Sequence, residues 1–210
     1  MVRRQLSNDE CWRARANGSS SDLNRVGRHV VSLRPGPEPP RYGRYVLELM
    51  PLLPECREAI LEWRNSASVS PFMYRATPIG SAEHAAWFAA AMNDAGDRIH
   101  RLLMINGEPS GVMSLSDINA SAGSAEWGGY LAPHVPRGLG HGRAFLEASC
   151  ELARRDFGIR VIHVEVLETN SAARHLYESV GFEYVERIEH RVVRDGNPVA
   201  AYRLTRSLDR

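Results

Sequence analysis

Lysine is absent from this 210-residue chain, so all 26 cationic side chains other than histidine are arginine. We read that as a bias of coding rather than a mark of function. With 25 acidic residues the net charge is +1, which argues against a protein built to grip a nucleic-acid backbone or an anionic membrane surface. Cysteine is nearly as scarce. Cys11, Cys56 and Cys150 are odd in number and lack CxxC or metal-ligand spacing, which excludes a disulfide framework and a zinc site and fits a reducing, cytoplasmic setting. Also missing is any apolar run near the roughly 20 residues that span a bilayer, and the first residues have no apolar core of a secretory signal. The expectation is a cytoplasmic protein with no membrane or nucleic-acid partner and no metal.

What is present is enough apolar sequence, 43%, for one buried core, and a length that suits a single domain with a tail. Residues 1–43 show no sustained periodicity and pass from Asn17-Gly18-Ser19-Ser20-Ser21 into Arg34-Pro35-Gly36-Pro37-Glu38-Pro39-Pro40. Such a segment has too little apolar surface to offset its ordering entropy, so a disordered tail is expected there and a folded domain over 44–210. Its eight arginines against four acids leave a partner-binding or targeting arm as the other reading.

From Tyr45 to Met50 the β-branched and aromatic residues predict a strand, and Cys56 to Arg64 predicts a helix with Ala59, Ile60 and Trp63 at helical spacing. A second helix is expected from Ser81, with Ser81 as its cap and Trp87, Phe88, Ala91 and Met92 on one stripe. Three strands follow, Arg98 to Ile105, Gly111 to Ile118 and Ala125 to Leu131, as an antiparallel meander. Next come a long helix over Gly138 to Asp156, a central strand over Val161 to Leu167, and a helix over Ser171 to Val180 capped by Asn170 and stopped by Gly181. Two strands around Phe182 to Val193 and Val199 to Thr205, turning at Asp195-Gly196, complete a β-α-α-β-β-β-α-β-α-β-β order. That order predicts an α+β fold, a central mixed sheet between helical layers.

Chemistry concentrates at two places. In the first, a strand ending in Tyr130-Leu131-Ala132 runs through Pro133-His134-Val135-Pro136 into Arg137-Gly138-Leu139-Gly140-His141-Gly142-Arg143 and directly into the long helix. A helix N-terminus leaves about four N–H groups unpaired and carries roughly half a positive charge, and glycines let phosphate oxygens approach those donors. No Lys-Ser/Thr pair marks a triphosphatase loop, and no acidic residue is placed for a dinucleotide fold. A Gly-rich turn can also serve simple chain reversal.

The second place is Asn170-Ser171-Ala172-Ala173-Arg174-His175-Leu176-Tyr177-Glu178-Ser179-Val180-Gly181-Phe182. Asn170 and Tyr177 fall about two turns apart on one helix face. A phenol there can protonate a departing thiolate and the amide can hold a ligand carbonyl; singly, the residues also fit a packed aromatic and a helix cap.

Together the R-x-x-G-x-G loop and the N-x-x-A-x-x-L-Y-x-x-x-G-F segment resemble the GNAT acetyltransferases over about 44–206. The resemblance implies the GNAT acyl-CoA N-acyltransferase fold, with acetyl-CoA as co-substrate. It implies that the amides of Arg137 through Gly142, with Arg143, bind the CoA pyrophosphate. Tyr130, Leu131 and Ala132 would line up the pantetheine arm, Asn170 would assist, and Tyr177 would be the general acid for the CoA sulfur.

A narrower similarity, carried by Trp63-Arg64-Asn65, Pro71-Phe72-Met73-Tyr74, His84-Ala85-Ala86-Trp87-Phe88 and Ala125-Glu126-Trp127-Gly128-Gly129-Tyr130, is to acetyltransferases of pseudaminic acid synthesis. Those act on the 4-amino group of a UDP-linked 4-amino-4,6-dideoxy-N-acetyl-altrosamine. The similarity implies an acceptor site including Arg64, Asn65, Met73, Tyr74, His84 and Trp87. Physically, Met73, Tyr74 and Trp87 suit an apolar wall for a deoxy sugar, and Arg64 suits a phosphate; core packing and a surface arginine are the blander alternatives.

The expected reaction is direct attack of a neutral amine on the thioester, without a cysteine nucleophile. It requires a base, for which Glu126 is the candidate, with Glu165, His163 and His84 as rivals. A ribosomal-protein, peptide or aminoglycoside acetyltransferase is the enzymatic alternative, and a non-catalytic acyl-CoA-binding module the alternative of another class. A monomer or homodimer is expected.

Overall fold

The computed structural model describes residues 45–94 and 96–209; the tail expected over 1–43 lies outside them. The elements in chain order are β1 (Leu47–Met50), α1 (Arg57–Asn65), α2 (Ser81–Ala91), β2 (Ile99–Ile105), β3 (Glu108–Asn119) and β4 (Ser124–Leu131). They continue with α3 (His141–Phe157), β5 (Val161–Leu167), α4 (Ser171–Ser179), β6 (Glu183–Arg194) and β7 (Asn197–Ser207). The expected order of elements holds. Two details differ. The first strand starts two residues later than expected, at Leu47. Ser81 is not the cap of α2: Gly80 occupies that position with extended backbone, and no side chain caps the helix.

Seven strands form one sheet in the order β1-β2-β3-β4-β5-β7-β6. The first four pair antiparallel in chain order: short turns make β2 to β4 a meander, whereas β1 reaches β2 through α1 and α2. The connection through α3 then delivers β5 parallel to β4. That parallel ladder is short, joining only Ser124–Glu126 to Val161–His163. Beyond it β4 stays with β3 as far as Leu131, while β5 stays with β7 as far as Leu167. The two halves of the sheet therefore separate from Trp127 onward.

Helices cover both faces. Trp127 packs its ring on Phe145 of α3 and Tyr177 of α4, so odd positions of β4 face that helical pair and Glu126, Gly128 and Tyr130 face α1 and α2. The core is continuous around the sheet, with Leu102, Leu103, Met113, Leu115, Leu146, Leu152, Ile162 and Leu204 among its fully buried members. None of the described helices is long and apolar enough to cross a membrane.

Candidate active site

The loop before α3 is shaped by backbone conformation. Gly138 and Gly140 have φ of +78° and +84°, and a Cβ at either would point into open space, so only glycine takes these turns without strain. Gly140 is the N-cap of α3, no side chain caps the helix, and no acidic residue lies in its first turn. The amide of Ala144 is bonded to the Gly140 carbonyl at 3.1 Å. The amides of His141, Gly142 and Arg143 precede that bond and are directed out of the helix end, where the macrodipole favours an anion. Gly142 packs closely on α4, since a Cβ there would stand 3.2 Å from Leu176 Cδ2, tighter than ordinary contact.

The charged side chains of the loop point elsewhere. The Arg137 guanidinium donates to the carbonyls of Leu131 at 3.1 Å, Ala132 at 3.2 Å and Val135 at 2.7 Å. Arg143 bonds Glu147 and the Ser179 carbonyl, and the His141 ring packs 5.0 Å from Tyr45. Arg137 thus braces the end of β4 by covering its carbonyls, and main-chain amides are left to meet an anion. This loop fits a CoA pyrophosphate, as an uncapped helix end with room where side chains would intrude.

Asn170 caps α4, its Oδ1 accepting from the Ala173 amide at 3.1 Å. Two turns on, Tyr177 is 8% exposed and held by Trp127 and Phe182, with ring centroids at 6.1 and 5.7 Å. Its hydroxyl makes no hydrogen bond to another described residue. Burial, with the charge of Tyr74 as a lesser cause, raises the Tyr177 phenol well above its ordinary value. The phenol is therefore protonated at neutral pH. It stands on the α3–α4 side of the sheet, against the strand where β4 leaves β5.

On the opposite face Glu126 lies beside His163 in the last rungs of the parallel ladder. Burial raises the Glu126 carboxyl, and the negative charges of Glu165 and Asp117 raise it further, against Arg203 and Arg191. It makes no hydrogen bond to another described residue. Glu165 is the reverse case: its side chain is 3% exposed and takes hydrogen bonds from Tyr74, from Arg191 at 2.8 Å and from Arg203 at 2.5 Å. Burial alone would raise its carboxyl, but those donors outweigh burial and hold it low. Burial, with the charge of Arg203, lowers the imidazole of His163, whose Nδ1 is buried with no hydrogen-bond partner among the described residues.

A cavity of about 380 Å³ lies between the sheet and the first two helices. Of the residues expected at an acceptor site, Arg64, Met73, His84 and Trp87 line it, together with Tyr130. Asn65 and Tyr74 do not. Asn65 clamps the α1–α2 connection by exchanging two hydrogen bonds with the Ile79 backbone, at 2.8 and 2.9 Å. Tyr74 is tied to Glu165 with Arg191 4.5 Å above its ring. Arg194 from β6 donates to the carbonyls of Met73 and Tyr74, so the connection is fastened at its middle as well as across its ends.

His100, Ser114 and Gly128 form a row across β2, β3 and β4 on the cavity floor, and Arg98 stands nearby. Sequence reasoning missed this row. Alternation along each strand placed its members on a face, but only the register brings them together. Among the described residues no group of three or more His, Cys, Asp or Glu is placed to hold a metal.

Residues 47–183 match the family model described as an acetyltransferase (GNAT) domain. This chain belongs to the GNAT acetyltransferase family. It is an acetyl-CoA-dependent N-acetyltransferase, and the uncapped α3 terminus is its expected CoA-binding element. No curated protein matches it.

Among solved structures it is similar to spermidine N-acetyltransferase from Vibrio cholerae in complex with CoA and spermine, at 20% identity, TM-score 0.70, and coverage of 77% of this chain and 95% of that one. It is also similar to the ribosomal-protein α-N-acetyltransferase RimL with CoA, at 16% identity, TM-score 0.68 and coverage of 78% and 94%. A third is RimJ of Mycobacterium smegmatis with a CoA disulfide, at 17% identity, TM-score 0.69 and coverage of 78% and 83%. At these identities the likeness is one of fold.

Proposed function

We propose that this GNAT enzyme acetylates the primary amine of a small nucleotide-linked amino sugar, of the UDP-4-amino-4,6-dideoxy type. The observation that supports the reading is a cavity whose lining combines the apolar side chains of Met73 and Trp87 with Arg64. Its volume of about 380 Å³ lies within the roughly 300–1,000 Å³ of small-molecule sites. A sugar lacking hydroxyls presents carbon surface to such side chains, and the nucleotide would extend from the mouth.

Acetyl-CoA supplies an activated acyl group. The chain's own residues do the rest. The amides of His141 through Arg143 hold the pyrophosphate, and Arg137 fixes the turn. Tyr130, Leu131 and Ala132 present the edge freed where β4 leaves β5, along which the pantetheine arm would run. Glu126, on the same strand as the lining residue Gly128 but not itself in the cavity lining, would take the proton from the acceptor ammonium through ordered water, because a raised carboxyl with no competing hydrogen bond is the better base of the two glutamates on that face. Tyr177, kept protonated by burial, donates to the departing sulfur.

Thiol-release kinetics with acetyl-CoA test the reading, using the UDP-4-amino sugar beside spermidine, an aminoglycoside and a peptide α-amine. Preference for the nucleotide sugar in kcat/KM is expected, and preference for any of the other three overturns the acceptor.

A further inference from the structure

Two residues that line the acceptor cavity each carry a buried polar atom that no described residue satisfies. His84 is 2% exposed, and its Nε2 has no hydrogen-bond partner among the described residues. Nη1 of Arg64 is likewise buried and unpartnered, although Nη2 of the same guanidinium donates to the Arg75 carbonyl at 2.6 Å. Both residues line the same cavity, one from α1 and the other from α2. Leaving a buried polar atom without a partner costs free energy that folding alone does not recover, so two residues of one cavity lining that each carry such an atom point to a ligand.

The charge of the space identifies that ligand's chemistry. Two arginines, Arg64 and Arg98, line the cavity, and Arg98 makes no ion pair with another described residue. The single carboxylate of the lining, Glu83, is taken by Arg75 at 2.5 Å. Burial lowers the Arg64 guanidinium; nearby Tyr130 opposes that fall, and the positive charges of Arg75 and Arg194 add to it. Its charge is thus held against local opposition, a condition that a bound anion relieves. The planar guanidinium fork suits phosphate and carboxylate alike. The His84 ring is fixed by packing, 5.1 Å from Trp87 and 6.0 Å from Phe88, so its Nε2 is presented in one direction.

We infer that Arg64 and His84 form an anion subsite within the acceptor cavity, which selects amines bearing a phosphate or carboxylate and turns away polyamines. The inference rests on the reading that this cavity receives the acceptor. It goes beyond the nucleotide sugar because it names the charge class whatever the carbon skeleton. It also separates this chain from the spermine-bound neighbour of the same fold, whose ligand is a polycation.

The test uses the full chain and matched amines of similar length: phosphoethanolamine, 4-aminobutyrate, 4-aminobutanol and spermidine, beside the UDP-amino sugar. The phosphate or the carboxylate amine should exceed aminobutanol in kcat/KM by roughly tenfold or more, the size expected of hydrogen bonds to a charged group. Which of the two leads separates phosphate from carboxylate as the anion. In Arg64→Gln and in His84→Phe that ratio should fall toward one, with Arg64→Lys intermediate and acetyl-CoA affinity serving as the check on folding.

Should the variants fold poorly, inorganic pyrophosphate inhibition of the unaltered protein decides. Competition against the acceptor at saturating acetyl-CoA supports the subsite, and competition against acetyl-CoA alone overturns it. A preference for spermidine, or a ratio unmoved in folded variants, also overturns it. Reaction of the simple anionic amines with an inert UDP-amino sugar removes the sugar reading and leaves the subsite standing.

Discussion

Glu126 and Glu165 point from adjacent strands to the same face of the sheet, yet their surroundings give them opposite chemistry. Three donors hold Glu165 ionised and occupied, whereas Glu126 is raised by burial and by its acidic neighbours. A base must be deprotonated to act, so kcat/KM should increase with pH through the Glu126 titration, at a pH above that of a free glutamate. Glu126→Gln should abolish this acid limb and lower kcat by roughly 100-fold, and a pH profile of thiol release checks both.

Tyr177 is raised rather than lowered, so it stays an acid throughout that range and adds no alkaline limb below its ordinary value of about 10. Tyr177→Phe should reduce kcat by about 100-fold while calorimetry shows acetyl-CoA affinity within about threefold of the original. Unchanged turnover would remove the phenol from the mechanism. Both residues were legible as candidates from their sequence context. The choice between Glu126 and Glu165 was not, because the donors on Glu165 come from Tyr74, Arg191 and Arg203, all distant in the chain.

At the scale of elements, legibility depended on whether the cause was local. The Asn170 cap of α4, the glycine turn before α3 and the meander of β2 to β4 all follow from nearest neighbours in sequence, and each is found. The Ser81 cap failed because Gly80 already supplies the extended backbone that begins α2. Asn65 looked like a ligand-binding residue and is seen clamping Ile79, a partner 14 residues away that no helical periodicity reveals.

Glu165 joins the α1–α2 connection to β6 and β7 through Tyr74, Arg191 and Arg203, so its ionisation carries stability. Its folded pKa is lowered. Its contribution is therefore fully present above the unfolded carboxylate value and is lost as pH falls through the depressed folded one. Glu165→Gln should lower stability at neutral pH by about 2 kcal/mol and flatten the acid side of the stability curve, as denaturant titration from pH 7 down to pH 3 would show. A neutral-pH midpoint equal to the original would contradict the role. Gly142→Val tests the other helical layer. The clash with Leu176 should shift the start of α3 and weaken acetyl-CoA binding by tenfold or more, about 1.4 kcal/mol.

At the scale of the whole molecule, the central feature is a sheet whose halves share only three parallel rungs. Tyr177 stands on one side of the separation and Glu126 on the other, so in the proposed mechanism proton donor and acceptor would approach the thioester from opposite faces. Composition adds a consequence of its own. An enzyme that acetylates amines is exposed to its own reaction wherever a surface lysine comes near bound acetyl-CoA, but this chain has no lysine. Arginine, protonated throughout the accessible pH range, is no nucleophile toward a thioester. Incubation with labelled acetyl-CoA and no acceptor should therefore leave the side chains of residues 2–210 unlabelled by stable amide, as peptide mass spectrometry would report. Introducing lysine at Arg98, beside the cavity, should create one acetylated site whose labelling falls when Tyr177 is replaced by Phe. Labelling of that lysine at equal rate in both backgrounds would mean the acetyl group reaches it from solution rather than from the active site.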